Sequence, residues 1–305
     1  MVRSLVTQRA TAVCGPGGVT GDAEPRFLVY SITKSYLAVL ALLLAQEGRL
    51  DLGDPVTRWV DEQRLPDVPL ALLLDHTAGI PDYGRLPEYR AAVRAAPGKA
   101  WSDAELVGRA LERGLDFPPG TRWAYSNTGY LLLRLVLAAV TGDVAGALAA
   151  WILEPLGLTR TSLATTREDL EGLVPAASID LGVEDVRGVY DPCWVGHRAL
   201  ASTAADTCRF FAALTGGRLL GPRAWEELTT LVDVPVEVGW MRRPSYGLGV
   251  MADPEHALGL VLGHGGGGPG YTSAAFGVEG RAAVVLQARE GPGVEQEALE
   301  LLSGV

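Results

Sequence analysis

Cysteine is scarce in this chain, and the cysteines that occur are not arranged for disulfide or metal chemistry. Among 305 residues there are three, Cys14, Cys193 and Cys208, with no CxxC pair and no metal-ligand spacing. The four histidines are scattered as well. An odd cysteine count favours a reducing compartment, where free cysteines behave as small buried hydrophobic residues. We therefore expect no metal site and no cofactor.

An excess of positive charge is also missing. The formal net charge is -10 and the sequence pI is about 5.0. A nucleic-acid-binding domain would present a basic face, so this class of function is excluded and no nucleic-acid partner is expected. The composition, 48% hydrophobic and 20% charged, is typical of a globular protein.

No apolar run is long enough to cross a membrane. Residues 36–45 fall short of the roughly 20 residues that a spanning helix needs, and Arg134 interrupts the stretch YLLLRLVLAAV. The first residues, MVRSLVTQRATAVCGPGG, contain Arg3 and Arg9 and lack the apolar core of a signal peptide. We expect a cytoplasmic protein without a membrane partner.

Strand-like segments lie at both ends of the chain, and helix-like segments lie between them. RATAVCGPGGV is typical of a strand that ends in a turn, and four short apolar runs near the C-terminus predict an antiparallel meander. Ser102 and Glu105 have capping-box spacing, one of several helix signals in the middle. The pattern predicts an α+β fold in one domain, 1–305, with a sheet lobe from 1–30 and 205–305 and a helical lobe from 31–204.

The first candidate for chemistry is Ser31 with Lys34, in the stretch RFLVYSITKSYLAVLALLLAQEG. Ser31 could cap the helix that follows, and Lys34 could be a solvated residue on its polar face. The helix is apolar on nearly every side, however, and a lysine at its buried end needs a partner. Residues three apart share a helix face, so the Lys34 amine could act as a base for the Ser31 hydroxyl.

The second candidate is AYSNTG, which contains Tyr125 and Asn127. In an extended segment these two side chains point the same way. A turn in which Asn127 or Thr128 caps the next helix explains the stretch equally well. In the functional interpretation, a nearby ammonium would favour a Tyr125 phenolate that takes the proton from Ser31.

The third candidate is the glycine-rich stretch LGHGGGGPGY, which includes His264. It lacks the Lys-Ser/Thr pair and the helix start of a phosphate-binding P-loop. A tight strand end would account for several glycines. Alternatively, the bare backbone would let a substrate lie against an edge strand, with His264 facing the site and one N–H contributing to an oxyanion hole.

Together the three candidates resemble the serine β-lactamase and penicillin-binding-protein-like superfamily, nearest to its class C, DD-peptidase and esterase branch. The motifs that carry the resemblance are Ser31-x-x-Lys34, Tyr125-x-Asn127 and His264-Gly265-Gly266. It covers most of the chain, because further family-like segments follow in the family's order: GRLDLGDPV, LLLDHTAGIPDY, FPPGTRWAYSNTGYLLLRLV, STAADTCRFFAAL, YGLGV and GHGGGGPGYTS. The resemblance implies a β-lactamase/transpeptidase-like fold, with an antiparallel sheet flanked by helices.

The resemblance also implies roles for individual residues. Ser31 would be the nucleophile, Lys34 and Tyr125 the proton-handling pair, and Asn127 would orient either the substrate or Lys34. The reaction would be acyl transfer through an acyl-enzyme.

On the substrate side, the resemblance implies that His264, Gly265 and Gly267 bind substrate. His264 takes the place of a lysine found in many β-lactamases, and the N–H groups of Ser31 and Gly267 would form the oxyanion hole. Because a histidine is largely neutral at pH 7, esters and uncharged acyl groups are favoured over anionic ones. Arg198, where family members often have glycine, could meet an anionic group, but a surface arginine is the better interpretation.

The predicted function is therefore a serine hydrolase acting on a small ester or amide, of the esterase or transacylase kind. A D,D-peptidase or β-lactamase is the first alternative. Its substrate would also be a small molecule, either an amide or a lactam. A non-catalytic binding module that kept the fold is the alternative from a different class. The oligomeric state stays open.

Overall fold

A large antiparallel sheet is the main element of the computed structural model, which describes residues 8–305. The strands in chain order are β1 Arg9–Gly15, β2 Gly18–Gly21, β3 Phe27–Leu28, β4 Ser162–Ala164, β5 Ala199–Ser202, β6 Val232–Asp233, β7 Ser245–Tyr246, β8 Met251–Asp253, β9 Val261–Gly268, β10 Tyr271–Val278 and β11 Arg281–Gln287. Eight of them form this sheet in the order β2-β1-β11-β10-β9-β8-β7-β6. Segments from the two ends of the chain thus pair in one sheet, which confirms the predicted α+β arrangement.

The helices lie mostly between the two groups of strands. They are α1 Thr33–Gln46, α2 Leu70–Leu74, α3 Pro87–Ala95, α4 Asp103–Ala110, α5 Asn127–Thr141, α6 Val144–Leu148, α7 Ala204–Thr215, α8 Pro222–Leu228 and α9 Val294–Ser303. One π-helical turn, Ala149–Leu153, continues α6. No single helix in the described part of the chain is both long and apolar enough to cross a membrane. Only α5 and Val144–Leu153, bent by 86°, meet those criteria as a pair.

Helices cover both faces of the sheet, which explains why β10 is buried along its whole length. Side chains alternate between the two faces of a strand. Ala275 and Val284 belong to the main core, which includes residues of α7. Phe276 and Val285 belong to a second apolar cluster with residues of α9.

The apolar helix α1 runs through the main core and is surrounded by α5, α6 and α8. Leu37, Leu40 and Leu44 are fully buried, as expected of a helix that is apolar all round. The 3₁₀ turn Tyr30–Ile32, which leads into α1, lies against β9, so the chain meets the glycine-rich strand just before the helix begins.

Helix starts agree with the sequence in part. The predicted capping box at Ser102 is present, and the Thr203 side chain caps α7. The predicted caps at Ser31 and Asn127 are wrong. Ser31 lies in a 3₁₀ turn ahead of α1 and its hydroxyl caps no N–H, whereas Ser126 caps α5.

A small second sheet, β3-β5-β4, joins the two predicted lobes. It pairs Phe27 with Ser202, next to the segment that leads into Ser31. The predicted sheet segments 1–30 and 205–305 contain β1–β3 and β6–β11, and the predicted helical segment 31–204 contains α1–α6. β4 and β5 therefore lie in the segment that was expected to be helical. Two- to four-residue strands show too little alternation to be recognised.

Candidate active site

Ser31 lies at a strained point of the backbone, between β3 and α1. The residue before it, Tyr30, has a φ of 44°, in the left-handed region that bulky residues avoid. The Tyr30 hydroxyl donates to the carbonyl oxygen of Pro269 over 2.6 Å, which ties the turn to the end of β9. Ser31 keeps part of its surface exposed, while nearly all of α1 behind it is buried. Strain of this kind is common at functional sites.

Lys34 is fully buried, and its amine is surrounded by three polar atoms. Nζ lies 3.0 Å from Ser31 Oγ, 2.9 Å from Asn127 Oδ1 and 3.3 Å from His197 Nε2. No ion pair involving Lys34 occurs within residues 8–305. Burial lowers the pKa of Lys34 well below its usual value, opposed only by the charge of Asp82. The neutral amine is therefore favoured far more than in water.

The three contacts direct the Lys34 lone pair toward Ser31 when the His197 ring proton is on Nδ1. A neutral amine has two N–H groups and one lone pair, and Asn127 Oδ1 can only accept. His197 Nε2 accepts as well when the ring proton is on Nδ1. With both N–H groups so engaged, the lone pair faces the Ser31 hydroxyl, 3.0 Å away. This is the arrangement that a general base for Ser31 requires.

Asn127 is itself held by a carboxylate. Its Nδ2 donates to Asp82 Oδ1 over 3.1 Å, and its backbone N–H donates to the same oxygen over 3.2 Å. The amide oxygen is thereby turned toward Lys34. Of the two roles left open for Asn127, the geometry matches the one in which it orients Lys34.

Tyr125 completes the cluster and is half-buried. Its ring packs at 4.3 Å from that of His76, and Lys34 Nζ lies 4.9 Å from its centroid. Burial raises the pKa of Tyr125 far more than its hydrogen bond with Ser31 lowers it. Tyr125 is therefore a neutral phenol, which corrects the expected phenolate. Burial also disfavours the ammonium form of Lys34, which weakens the positive charge that would stabilise a phenolate.

His197 is a site residue that the sequence interpretation missed. The four histidines are scattered along the sequence, yet the His197 ring contacts the Lys34 amine. Burial, followed by the charge of Lys34, lowers the pKa of His197 well below its usual value, so the ring is neutral. The one available signal was its position just before the STAAD segment, where the chain already departs from the family pattern.

Neighbouring residues fix the backbone that carries His197. The Gly196 N–H donates to the Tyr83 hydroxyl over 2.8 Å, and Arg134 Nε donates to the Gly196 carbonyl oxygen over 2.9 Å. Arg198 forms an ion pair with Asp103 across 3.3 Å, and its side chain is only 14% exposed. The preferred interpretation of Arg198 as a surface residue is therefore wrong. Its φ of 66° also explains why glycine suits this position.

The glycine-rich strand β9 presents a free edge beside Ser31. β8 pairs only with Val261–Gly263 in the described chain, so the same edge of β9 is unpaired from His264 onward. A Cβ added to Gly266 would lie 3.1 Å from the Ser31 nitrogen and still closer to the Val29 carbonyl, so only glycine fits there. Gly267 faces open space. Gly265 points to the opposite face, toward Glu295 of α9, so its Cα is turned away from Ser31.

His264 is buried rather than open to a ligand. Its Nε2 lies 2.9 Å from the Tyr246 hydroxyl, and its Nδ1 contacts the Gly265 carbonyl. Burial, and then the charge of Lys34, lowers the pKa of His264 to about 3, so the ring is neutral at pH 7. This agrees with the expected lack of a fixed cation at this position. Within residues 8–305, no group of three or more His, Cys, Asp or Glu side chains is placed to hold a metal ion.

Comparison with known proteins agrees with this geometry. The Beta-lactamase family model matches residues 7–303. A D-stereospecific amidohydrolase from Streptomyces is 31% identical, and its structure superposes with a TM-score of 0.84 over 96% of this chain and 92% of that one. The predicted β-lactamase/transpeptidase-like fold is confirmed.

Two curated relatives match over shorter parts of their length. Penicillin-binding protein 4* of Bacillus subtilis is 26% identical over 268 residues, 81% of this chain and 56% of that protein. Esterase EstB of Burkholderia gladioli is 32% identical over 146 residues, 43% of this chain and 37% of that protein. The aligned parts thus span about half of the first relative and less of the second. By its family model and its structural likeness, the chain belongs to the Beta-lactamase family, within the serine β-lactamase and penicillin-binding-protein-like superfamily of hydrolases.

Proposed function

We propose that this protein hydrolyses small amides or esters through an acyl-enzyme on Ser31, with a preference for substrates of D configuration. The observation that carries the reaction is the buried Lys34 amine, 3.0 Å from Ser31 Oγ and without a carboxylate partner in the described chain. The likeness to a D-stereospecific amidohydrolase over 96% of the chain supports the substrate class.

The first half of the reaction uses Lys34 as the base. Ser31 Oγ attacks the substrate carbonyl carbon while its proton passes to the Lys34 amine. The carbonyl oxygen becomes an oxyanion, for which the N–H groups of Ser31 and Gly267 are the proposed donors. The C–N or C–O bond then breaks, and the leaving atom takes a proton from the Tyr125 hydroxyl. The Lys34 ammonium, whose Nζ lies 4.9 Å from the centroid of the Tyr125 ring, then returns to the Tyr125 oxygen the proton that it took from Ser31.

Water replaces the leaving group in the second half. Its oxygen attacks the acyl carbon, its proton moves to the same base system, and the Oγ–C bond breaks to restore Ser31. The neutral His264 ring, bonded to Tyr246, offers no permanent cation to a substrate carboxylate. This supports uncharged acyl groups over the anionic ones of penicillins.

A substrate panel tests the proposal. The D and L enantiomers of alanine amide and phenylalanine amide would be compared with p-nitrophenyl acetate and butyrate, nitrocefin and a D-Ala-D-Ala peptide. We expect turnover of the D amides or the esters, and an acyl adduct of Ser31 in the mass spectrum. Preferred turnover of nitrocefin or of the peptide would favour the β-lactamase or D,D-peptidase alternative, which the 26% identity to penicillin-binding protein 4* supports. No turnover and no adduct would favour a non-catalytic binding module.

His197 provides a prediction specific to this chain. Replacement of His197 by leucine removes the acceptor for one Lys34 N–H, so we expect kcat to fall roughly 10- to 100-fold, as for a lost hydrogen bond to a charged or buried group. KM should change little, because His197 is buried and does not contact the substrate. His197→Gln restores an acceptor and should recover part of kcat. If His197 had only a structural role, kcat would instead fall equally in both variants, and their melting temperatures would fall as well.

A further inference from the structure

A small apolar hollow lies next to the active site, and Tyr125 belongs to both. Its volume is about 110 Å³, and aromatic rings of Trp123, Tyr125 and Tyr246 form one wall. The opposite wall is the segment between β6 and β7, through Val234, Val236 and Val238. Val236 is 54% exposed, one of two large hydrophobic residues in the described chain with such exposure. Neither wall presents a charged side chain.

Tyr125 connects this hollow to the chemistry. Tyr125 lines the hollow, and the centroid of its ring lies 4.9 Å from Lys34 Nζ, which is itself 3.0 Å from Ser31 Oγ, so the hollow adjoins the catalytic cluster. Lys34 is fully buried, whereas Tyr125 is half-buried and exposed to the cleft. Tyr125 is therefore the proton donor that can touch the leaving atom. A substituent attached to that atom extends past the Tyr125 ring.

We infer that the hollow binds an apolar substituent of the leaving group, a branched alkyl group of four or five carbons on the departing amine or alcohol. This inference rests on the proposed function, because it needs Tyr125 beside the leaving atom. It specifies that the enzyme selects its substrates by the leaving-group side of the scissile bond, through apolar contact.

The size of the hollow sets the size of the group. An apolar cavity of roughly 150 Å³ holds benzene, so about 110 Å³ suits a 3-methylbutyl group better than a larger ring. Each buried CH₂ should raise kcat/KM about fourfold until the hollow is filled. Longer chains should bring no further gain.

Two variants distinguish the effect of this hollow on substrate preference from the effect of exposed apolar surface elsewhere. Val236→Asp places a charge in the wall of the hollow. Ile179→Asp changes the other exposed hydrophobic residue, which is 85% exposed and lies outside the hollow. Both positions are on the surface, so both variants are expected to fold.

The experiment measures acid release from acetate esters of methanol, propanol, 3-methylbutanol and octanol, and from methyl esters of two- to six-carbon acids. We expect kcat/KM to rise along the alcohol series up to 3-methylbutyl acetate. In Val236→Asp the ratio of kcat/KM for 3-methylbutyl acetate over methyl acetate should fall about tenfold or more. Ile179→Asp should leave this ratio unchanged. A flat alcohol series, or a Val236→Asp effect confined to the acid series, would overturn the inference.

A binding measurement keeps the inference testable without turnover. Saturation-transfer NMR would measure the binding of 3-methylbutan-1-ol to two proteins. One is Ser31→Ala, and the other is the double variant that carries Ser31→Ala and Val236→Asp. Transfer that is lost in the double variant supports the hollow as the binding site, whereas equal transfer in both overturns it. If no ester is hydrolysed but the alcohol binds in this way, the proposed function fails, and the hollow remains only a binding site for a branched alkyl group.

Discussion

Replacing Ser31 with alanine is expected to lower kcat for every hydrolysed substrate by about 10⁴-fold or more, the loss typical of removing a catalytic serine. Within residues 8–305, Ser31 Oγ is the one hydroxyl that contacts the Lys34 amine, and Ser31 is partly exposed. Without it no acyl-enzyme forms, so the loss should be equally large for esters and amides. The measurement is steady-state turnover, together with the mass of the protein after rapid quenching.

Ser35 provides a matched control one turn further along α1. Its hydroxyl is buried and donates to the Gly249 carbonyl oxygen over 2.7 Å, so it is structural. Ser35→Ala should lower the free energy of unfolding by about 1 kcal/mol and leave the acyl adduct intact. An adduct that persists in Ser31→Ala would move the nucleophile elsewhere and refute the assignment.

The positions of Ser31 and Lys34 could be predicted from sequence because their relation is local. A separation of three residues at a helix start determines that the two side chains meet. Tyr125 and Asn127 are close in sequence to each other but not to Ser31. Only the resemblance to a known family could bring them to the same site, and the structure places both beside Lys34.

His197 could not be predicted in this way. It is 163 residues from Lys34, and the contact depends on how Tyr83 and Arg134 hold the Gly196 backbone. No local pattern encodes such a tertiary arrangement. The orientation of Gly265, in contrast, was available from the sequence, because adjacent residues of a strand face opposite sides of the sheet. A strand that brings His264 toward the site turns Gly265 toward α9.

Where the expectation about protonation failed, burial was the cause. The sequence suggested an ammonium at Lys34 and a phenolate at Tyr125, as if both were in a polar medium. In the folded chain burial is the largest influence on both groups, and it favours the neutral form of each. The site is therefore a neutral acid beside a neutral base. That is the arrangement needed to take one proton from Ser31 and give one to a leaving group.

Replacing Lys34 with methionine should lower kcat by about 10²- to 10⁴-fold, the usual contribution of a general base. Methionine has a similar length and no charge, so it fills the buried space that the lysine stem occupies. Lys99, the only other lysine in the chain, is exposed, and Lys99→Met serves as the control that should retain full activity. Loss of activity in both variants would point to a general effect of removing lysines.

Because the chain has two lysines, the protonation of Lys34 can also be measured directly. Selective ¹³C labelling of lysine side chains should give two NMR signals, and the signal that is absent from Lys34→Met should titrate well below the ordinary lysine pKa of about 10.4. A Lys34 signal that titrates near the ordinary lysine pKa would mean an ammonium at neutral pH. The role of base would then pass to Tyr125.

The same pKa shift determines how the stability of the protein depends on pH. Between the lowered pKa of folded Lys34 and about 10.4, the unfolded chain binds a proton that the folded chain does not. The free energy of unfolding of the wild type should therefore rise with pH across this window, relative to Lys34→Met, and become parallel to it above about pH 10.4. Urea unfolding of both proteins from pH 6 to pH 11 measures the difference. If the difference in free energy of unfolding between the two proteins stays constant with pH, the pKa of Lys34 is not lowered. If the difference rises with pH, the buried amine lowers the stability of the protein at neutral pH and is kept in the form that can act as a base.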